Sequence, residues 1–232
     1  RGWPSVISTA AGDLLAVYSG GRDSHVCPFG RLEMIRSRDL GRTWSEPRIL
    51  VDTPLDDRDA GLVETDRGTL LATWFTSTAW VRRGLLERAE EHDGKGGPHD
   101  WPQEKMERWR AARERMTSEH CTHPAIRTYM EEREARDASY GSRQWLIRSE
   151  DGGRTWSEPY PAPLMSPNGP RRLRDGRLLW AGQKTDARDF IGVAESLDDG
   201  RTWKIMGRIP AADGHDAAQY HELDMIDCGD GS

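Results

Sequence analysis

An eight-residue pattern, Ser-x-Asp-x-Gly-x-Thr-Trp, occurs three times in this chain and restricts its possible folds more than any other feature. The copies occupy residues 37–44, 149–156 and 196–203, and the first two continue into the same tripeptide, Ser-Glu-Pro. A motif that recurs in the same relation to its neighbouring segments is the signature of a repeat architecture. We therefore expect one structural unit for each copy.

The octet has the composition of a closed turn. Its aspartate can accept hydrogen bonds from nearby backbone N–H groups, and its glycine permits the positive φ that a tight turn requires. The threonine hydroxyl and the tryptophan ring can then tie the turn to the sheet. We therefore interpret Asp39, Asp151 and Asp198 as structural rather than catalytic residues.

Short apolar runs surround each octet, three before it and one after it, and four strands per unit are typical of a propeller blade. The sequence thus predicts an all-β fold in which 1–232 form a single partial propeller domain. The predicted blades lie at about 4–53, about 57–165 and about 167–212, and a fourth blade starts at about 218–232 with a strand over 220–227.

A strongly charged segment interrupts the second unit. Residues 80–139 carry charged and apolar residues alternating at helical spacing, as in the run 103–110. This pattern predicts a helical insertion of two or three helices between the second and third strands of blade 2. The insertion should project from one face of the ring, but its spacing leaves open which face.

Three units and the start of a fourth cannot close a ring. An open ring would expose apolar blade faces and unpaired strand edges. We expect the polypeptide to continue past Ser232, or a second chain to complete the ring.

The octets resemble those of the sialidase (neuraminidase) superfamily, and the resemblance covers nearly the whole chain outside the charged insertion. It implies a six-bladed β-propeller of the sialidase type. It also implies a retaining exo-glycosidase that removes terminal, acidic sugars from glycans without a metal or an organic cofactor. The residues expected by resemblance are an arginine triad for the substrate carboxylate, an aspartate acid/base, and a tyrosine nucleophile activated by a glutamate.

The match to the superfamily pattern is partial. Gly2 stands where the first arginine of the triad is expected, which favours a different sugar from sialic acid. Arg22 resembles the arginine that follows the second strand of the first blade, and Asp23 is the carboxylate nearest to the expected acid/base position. Glu222 matches the nucleophile-activating glutamate, whereas the tyrosine and the remaining arginines would follow Ser232.

Polar residues also recur where each unit begins, and the first strand of a propeller blade starts at one mouth of the central channel. We expect these side chains to converge on one pocket. The catalytic candidates are Glu222, Asp59 and Asp23, and the substrate-binding candidates are Arg22, Arg58, His25, Asn168, Tyr220 and His221.

Two alternatives to a sialidase-like enzyme stay open at this stage. One is a hydrolase or lyase for a different glycan that uses Asp23, Asp59 and Glu222 as its carboxylates. The other is a non-catalytic propeller that binds carbohydrate without turnover. Either way, the expected partner is a carbohydrate or glycoconjugate.

Charge and composition exclude other classes of partner. The formal net charge is −6 and no lysine and arginine stripe is interleaved with aromatic residues, so a nucleic-acid partner is not expected. No apolar stretch approaches the ~20 residues that span a bilayer. Cys27, Cys121 and Cys228 form no CxxC pair, so we expect neither zinc nor redox chemistry. The chain starts at Arg1, so we expect a secreted or periplasmic location if an export signal was removed, and a cytoplasmic one otherwise.

Overall fold

The computed structural model describes residues 1–95, 100–117, 142–184 and 190–229. Within these residues the chain forms three four-stranded antiparallel sheets, each built from four consecutive strands. Sheet 1 contains β1 (Gly2–Ser8), β2 (Leu14–Gly20), β3 (Arg31–Ser37) and β4 (Arg48–Val51). Sheet 2 contains β5 (Asp56–Glu64), β6 (Leu70–Ser77), β7 (Ser142–Ser149) and β8 (Tyr160–Pro161). Sheet 3 contains β9 (Arg171–Arg172), β10 (Leu178–Gln183), β11 (Ile191–Ser196) and β12 (Lys204–Ile209).

The expectation of an all-β fold with four strands per unit is confirmed in all three sheets. None of the sheets closes on itself within the described part of the chain. The first strands of successive sheets are neighbours, since β1 contacts β5 and β5 contacts β9. The division of the chain into propeller blades stays a prediction.

Sheet 2 is the centre of the hydrophobic core because it is buried on both faces. Successive side chains of a strand point to opposite faces. On β7, Trp145 and Ile147 pack with β2 and β3 of sheet 1, whereas Leu146 packs with Trp180 and Ala194 of sheet 3. A run of uninterrupted apolar residues in this strand therefore serves two interfaces at once.

The octets form the closed turns that their composition predicts. In the second octet, Asp151 accepts hydrogen bonds from the Ser149 hydroxyl, from Thr155 N at 2.9 Å and from Thr155 Oγ1 at 2.6 Å. These donors hold the pKa of Asp151 well below its usual range. The glycine at the fifth position has a positive φ in each copy, and so has the residue before it.

One octet residue also joins two sheets. Asp199, which precedes Gly200 in the third octet, accepts hydrogen bonds from Thr69 Oγ1 at 2.6 Å and from Arg148 Nη2 at 2.9 Å. The Asp199 and Arg148 side chains are 4% and 8% exposed, so both charges are buried between sheets 2 and 3. A buried guanidinium depends strongly on such a counter-charge.

The insertion contains α1 (Ala79–Arg82), α2 (Leu85–Glu91) and α3 (Gln103–Thr117), and the rest of the predicted helical segment lies outside the described residues. Its apolar residues Trp80, Leu86 and Trp109 pack on Val26 and Cys27 of the loop between β2 and β3. That loop and the insertion both join the second strand of a sheet to the third. They therefore lie on the same face of the molecule, which the spacing alone could not decide.

The predicted strand over 220–227 is absent. A short 3-10 helix (Ala217–Gln219) precedes this segment, and no described residue of 220–229 belongs to a strand. Within the described residues no strand follows that could pair with it as β2 pairs with β1. Ile226 in this segment is 81% exposed. The segment is held against sheet 3 by Arg171, which contacts Asp224 Oδ2 at 2.7 Å, and by Arg174 N, which donates to Asp227.

We predict that Asp199→Asn destabilises the protein by about 2 kcal/mol, because it leaves Arg148 buried with a single, exposed counter-ion. Asparagine tolerates the left-handed backbone at this position, so the substitution changes mainly the charge. Urea unfolding followed by circular dichroism measures the effect. Asp66→Asn is the matched control: it removes an exposed partner of Arg172 and should leave the unfolding midpoint nearly unchanged. Equal midpoints for both variants would contradict the structural role of the buried pair.

Candidate functional site

The same backbone conformation recurs near the start of the first strand of each sheet and once more in the segment after sheet 3. Trp3, Asp59, Gly169 and Glu222 all have positive φ, at 50°, 50°, 68° and 56°. β1 and β5 each change register around this residue, between Gly2 and Ser5 in one and between Arg58 and Gly61 in the other. Left-handed conformations of non-glycine residues are uncommon, and they concentrate at functional sites.

Antiparallel pairing brings loops to these positions. Gly2 lies opposite Ser19 at the end of β2, and Asp56 lies opposite Ser77 at the end of β6. The loop after β2, the insertion after β6 and the starts of β1 and β5 therefore meet at one edge. We call this edge the candidate site. It contains Trp3, Arg22, His25, Asp56, Arg58, Asp59 and Glu222.

A buried ion pair organises the candidate site. Arg22 Nη1 lies 2.5 Å from Asp56 Oδ1, and Arg22 Nη2 lies 3.1 Å from Asp56 Oδ2. Arg22 also donates to Ser19 Oγ at 3.0 Å and to the His25 carbonyl at 2.6 Å. Burial alone would lower the pKa of Arg22, but its hydrogen bonds to Asp56 outweigh that effect and raise it. Both terminal nitrogens of Arg22 are therefore occupied, although its Nε, like that of Arg58, has no partner among the described residues.

Arg58 is less well compensated than Arg22. Its Nη1 lies 3.9 Å from Asp56 Oδ2, its Nη2 donates to His25 Nε2 at 3.3 Å, and its Nε has no partner among the described residues. Burial lowers the pKa of Arg58, although a guanidinium stays protonated in proteins. While Asp59 is protonated, the two guanidinium groups thus share one carboxylate, and Arg58 carries the excess positive charge.

Trp3 lies against both guanidinium groups. Its ring centroid is 4.8 Å from Arg22 Cζ and 4.6 Å from Arg58 Cζ, and the His25 ring meets it edge-on at 5.3 Å. Cation–π contacts of this kind fix the orientation of a guanidinium. Burial, together with the charges of Arg58 and Arg22, lowers the pKa of His25. The imidazole is therefore neutral and accepts the hydrogen bond from Arg58.

Asp59 has the protonation behaviour of an acid/base group. It is 7% exposed, and its Oδ1 has no partner among the described residues. Burial raises its pKa to about 6, against the opposing charges of Arg58 and Arg22, and Glu222 adds a smaller increase. A carboxyl group with this pKa can both donate and accept a proton near neutral pH. Glu222 itself is exposed.

The other candidates have different surroundings. Asp23 accepts a hydrogen bond from Trp109 Nε1 at 3.1 Å and lies 3.8 Å from Arg108, so it anchors α3 to the loop after β2. Asn168 Nδ2 donates to the Leu223 carbonyl at 3.3 Å and joins unit 3 to the following segment. Tyr220 accepts a hydrogen bond from Ala212 N at 2.7 Å, and His221 is exposed. The functional roles predicted for these residues stay predictions.

Two members of the site were not among the candidates, Asp56 and Trp3. The sequence does contain a signal for Asp56 as a site residue, since it belongs to the run Asp56-Asp57-Arg58-Asp59. Only Arg58 and Asp59 of this run were chosen as candidates. Its neighbour Asp57 is structural, since it accepts hydrogen bonds from Trp74 Nε1 at 3.1 Å, Thr53 N at 2.8 Å and Thr53 Oγ1 at 3.0 Å. Nothing in the run itself distinguishes these two aspartates.

The described residues contain no group of three or more histidine, cysteine, aspartate or glutamate side chains placed to hold a metal ion. In the part of the chain that the structure describes, no helix has the length and apolar character needed to cross a bilayer. Cys27 is buried and Cys228 exposed, both as free thiols, and Cys121 lies outside the described residues.

Comparison with known structures yields the fold. The chain superimposes on a protein of unknown function from Dyadobacter fermentans with a TM-score of 0.55 at 18% identity, covering 91% of this chain and 55% of that one. It superimposes on the Hadza microbial sialidase Hz136 with a TM-score of 0.54 at 21% identity, covering 90% and 37%. For the NanB sialidase of Streptococcus pneumoniae the TM-score is 0.53 at 12% identity, covering 90% and 44%.

Sequence comparison yields the family. A sialidase of Bacteroides fragilis is 24% identical over 218 residues, which are 87% of this chain and 34% of that protein. The chain thus spans about a third of this curated relative. Residues 2–220 match the BNR repeat-like domain family. The chain therefore belongs to the BNR repeat-like family of the sialidase superfamily.

Proposed function

We propose that this chain is part of a six-bladed sialidase-type propeller and acts as a sialidase-like exo-glycosidase on terminal acidic sugars. Support comes from the family, from the sialidases among its relatives and from the neighbouring first strands of the three sheets. Because the chain spans 37–55% of the structures compared above, the complete site would include residues outside it.

The observation that carries this proposal is the surplus positive charge at Arg58. Its guanidinium shares Asp56 with Arg22, is 10% exposed and rests on the Trp3 ring. A substrate carboxylate placed beside Arg58 would supply the missing counter-charge through a charge-assisted hydrogen bond. A neutral sugar would gain no such stabilisation, so the arrangement selects an anionic ligand.

Asp59 is the acid/base group of this mechanism. Its protonated carboxyl group donates a proton to the glycosidic oxygen as the bond to the anomeric carbon breaks. The phenol oxygen of the tyrosine implied by the resemblance attacks that carbon, and Glu222 takes the phenol proton. Water, deprotonated by Asp59, then hydrolyses the glycosyl–tyrosine intermediate, and Glu222 returns the proton to the phenolate, which retains the configuration.

A second candidate function is a hydrolase or lyase for another anionic glycan, and it is favoured by Gly2. The first arginine of a sialidase triad is expected at this position, and the adjacent Trp3 side chain occupies the space next to Arg58. Because fewer arginines are available to bind one substrate carboxylate, the site suits a sugar whose acidic group is placed differently. A non-catalytic carbohydrate-binding propeller is the remaining alternative.

We predict that Arg58→Gln in the full-length protein lowers kcat/KM for an aryl sialoside about 100-fold, because the substrate carboxylate loses its ionic partner. Hydrolysis of the fluorogenic glycoside measures the effect. The control, Arg172→Gln, removes an exposed arginine of a surface ion pair and should leave kcat/KM unchanged.

Three results would count against this assignment. Parent-like kcat/KM in the Arg58→Gln variant would exclude Arg58 from the substrate site. Turnover of a different acidic aryl glycoside, with none of the sialoside, would favour the second candidate. Glycan binding without turnover of any glycoside would favour the non-catalytic alternative.

Asp59→Asn should lower kcat by about 100-fold or more and remove the limb of the pH–rate profile near pH 6, because the amide cannot donate or accept the proton. A pH series of initial rates on an aryl sialoside measures both effects. Asp23→Asn, which changes a carboxylate that contacts Trp109, is the matched control and should keep that limb. A limb that persists in Asp59→Asn would assign the acid/base role to another group.

The same Asp59→Asn variant should be more stable than the parent above pH 6. The pKa of Asp59 is raised from 3.8 in the unfolded chain to about 6 in the folded one, so the native state binds the proton more tightly. In the parent, ionisation of Asp59 therefore destabilises the folded state. This destabilisation is absent below pH 4, grows as pH rises from 4 to 6, and reaches about 1–3 kcal/mol above pH 6. Urea unfolding at pH 4 and pH 7.5 measures the difference, and a variant less stable than the parent at pH 7.5 would refute it.

A further inference from the structure

A second concave region adjoins the candidate site. A cleft of about 800 Å³ lies between the loop after β2 and the inserted helices. The residues that matter for its charge and shape are His25, Arg83, Arg88, Lys95, Trp101 and Lys105. We call this region the insertion cleft. His25 belongs to both regions, since it lines the cleft and accepts the hydrogen bond from Arg58.

The insertion cleft concentrates positive charge in a chain whose formal net charge is −6. Arg83, Arg88, Lys95 and Lys105 line it, and none of them forms an ion pair with a carboxylate of the described residues. Asp23 is the carboxylate of the lining, and it is already bound by Trp109 Nε1 and by the Ser24 hydroxyl, with Arg108 at 3.8 Å.

Two of the insertion's carboxylates are directed elsewhere. Glu87 pairs with Arg113 at 2.5 Å and Glu90 pairs with Arg110 at 2.6 Å, both across the contact between α2 and α3. These pairs join the two helices, and neither carboxylate forms an ion pair with a cation of the cleft wall. Such a concentration of like charge costs stability unless an anion binds.

The wall also provides a surface for a sugar ring. Trp101 is half-buried, its ring lies 4.5 Å from the Trp109 ring, and Lys105 Nζ is 4.3 Å from its centroid. An aromatic residue fixed by such contacts can pack against a sugar ring, and Lys105, which lies over its face, can bind an acidic substituent of that sugar.

We propose that the insertion cleft is a leaving-group subsite that binds an anionic substituent, a sulfate ester or a uronate carboxylate, on the sugar next to the terminal one. The proposal rests on the proposed function, because it assumes that the terminal sugar occupies the site at Arg58. The substrate would then be an acidic glycan that carries negative charge on two successive sugars. The insertion would thereby set the specificity for the second sugar.

The test uses the full-length protein and the double variant Arg83→Gln/Arg88→Gln. Three substrates share the same terminal sugar and carry a neutral, a sulfated or a uronate sugar beside it. We expect kcat/KM for the two charged substrates to fall about 10- to 100-fold, with that for the neutral substrate unchanged. The matched control is Arg42→Gln/Arg67→Gln, which removes two exposed arginines outside the cleft and should alter none of the three. Loss on one charged substrate alone identifies the preferred anion.

Equal losses on all three substrates, or no loss, would overturn the subsite. A binding assay separates this result from failure of the proposed function. Calorimetric titration with a sulfated, a uronate and a neutral disaccharide requires no turnover. If no glycoside is hydrolysed, yet a charged disaccharide binds the parent and binds the double variant at least tenfold more weakly, the subsite stands and the proposed enzyme does not. Equal affinity of parent and double variant for all three disaccharides would overturn the subsite independently of catalysis.

Discussion

The carboxylate of Asp56 holds the candidate site together. It is completely buried and accepts hydrogen bonds from both terminal nitrogens of Arg22 and from Cys27 N. These contacts fasten the loop after β2 to the first residue of β5, and therefore join sheet 1 to sheet 2. The inserted helices pack on the same loop, so their position also depends on this carboxylate. Removing it would leave the buried Arg22 guanidinium without its hydrogen-bonded counter-ion, a change of several kcal/mol.

Local patterns were sufficient to predict the sheets. The octets define turns whose hydrogen bonds lie within eight residues, and β3 ends at Ser37, the first residue of the octet that follows it. The segment 220–227 shows the limit of the same reasoning. Its alternating apolar residues are compatible with a strand, but a strand forms only when a neighbour satisfies its backbone groups. Within the described residues that neighbour is missing, and no local pattern reports on it.

The candidate site was predictable in part for a similar reason. Arg22, Arg58 and Asp59 were recognised because they stand where strands begin or end, a position that a sequence shows. Which aspartate of the run 56–59 pairs with Arg22 was not predictable from the sequence. Asp56 and Asp57 are adjacent and chemically identical, yet one neutralises Arg22 and the other binds Thr53 and Trp74. Alternation along β5 sends them to opposite faces, and the identity of each face depends on contacts distant in the chain.

The repeated left-handed residue explains how one fold presents different chemistry at one edge. Trp3, Asp59 and Glu222 share a backbone conformation and differ in their side chains, an aromatic ring, a buried acid and an exposed acid. In the third unit the position is Gly169, where a Cβ would collide with Thr73, and the polar group comes from the preceding Asn168. The backbone of the repeat thus determines the direction of the side chain at this position, whereas each unit supplies its own functional group. The insertion after β6 enters at this same edge, because second strands end where first strands begin, so helices added there border the site without disturbing the sheets.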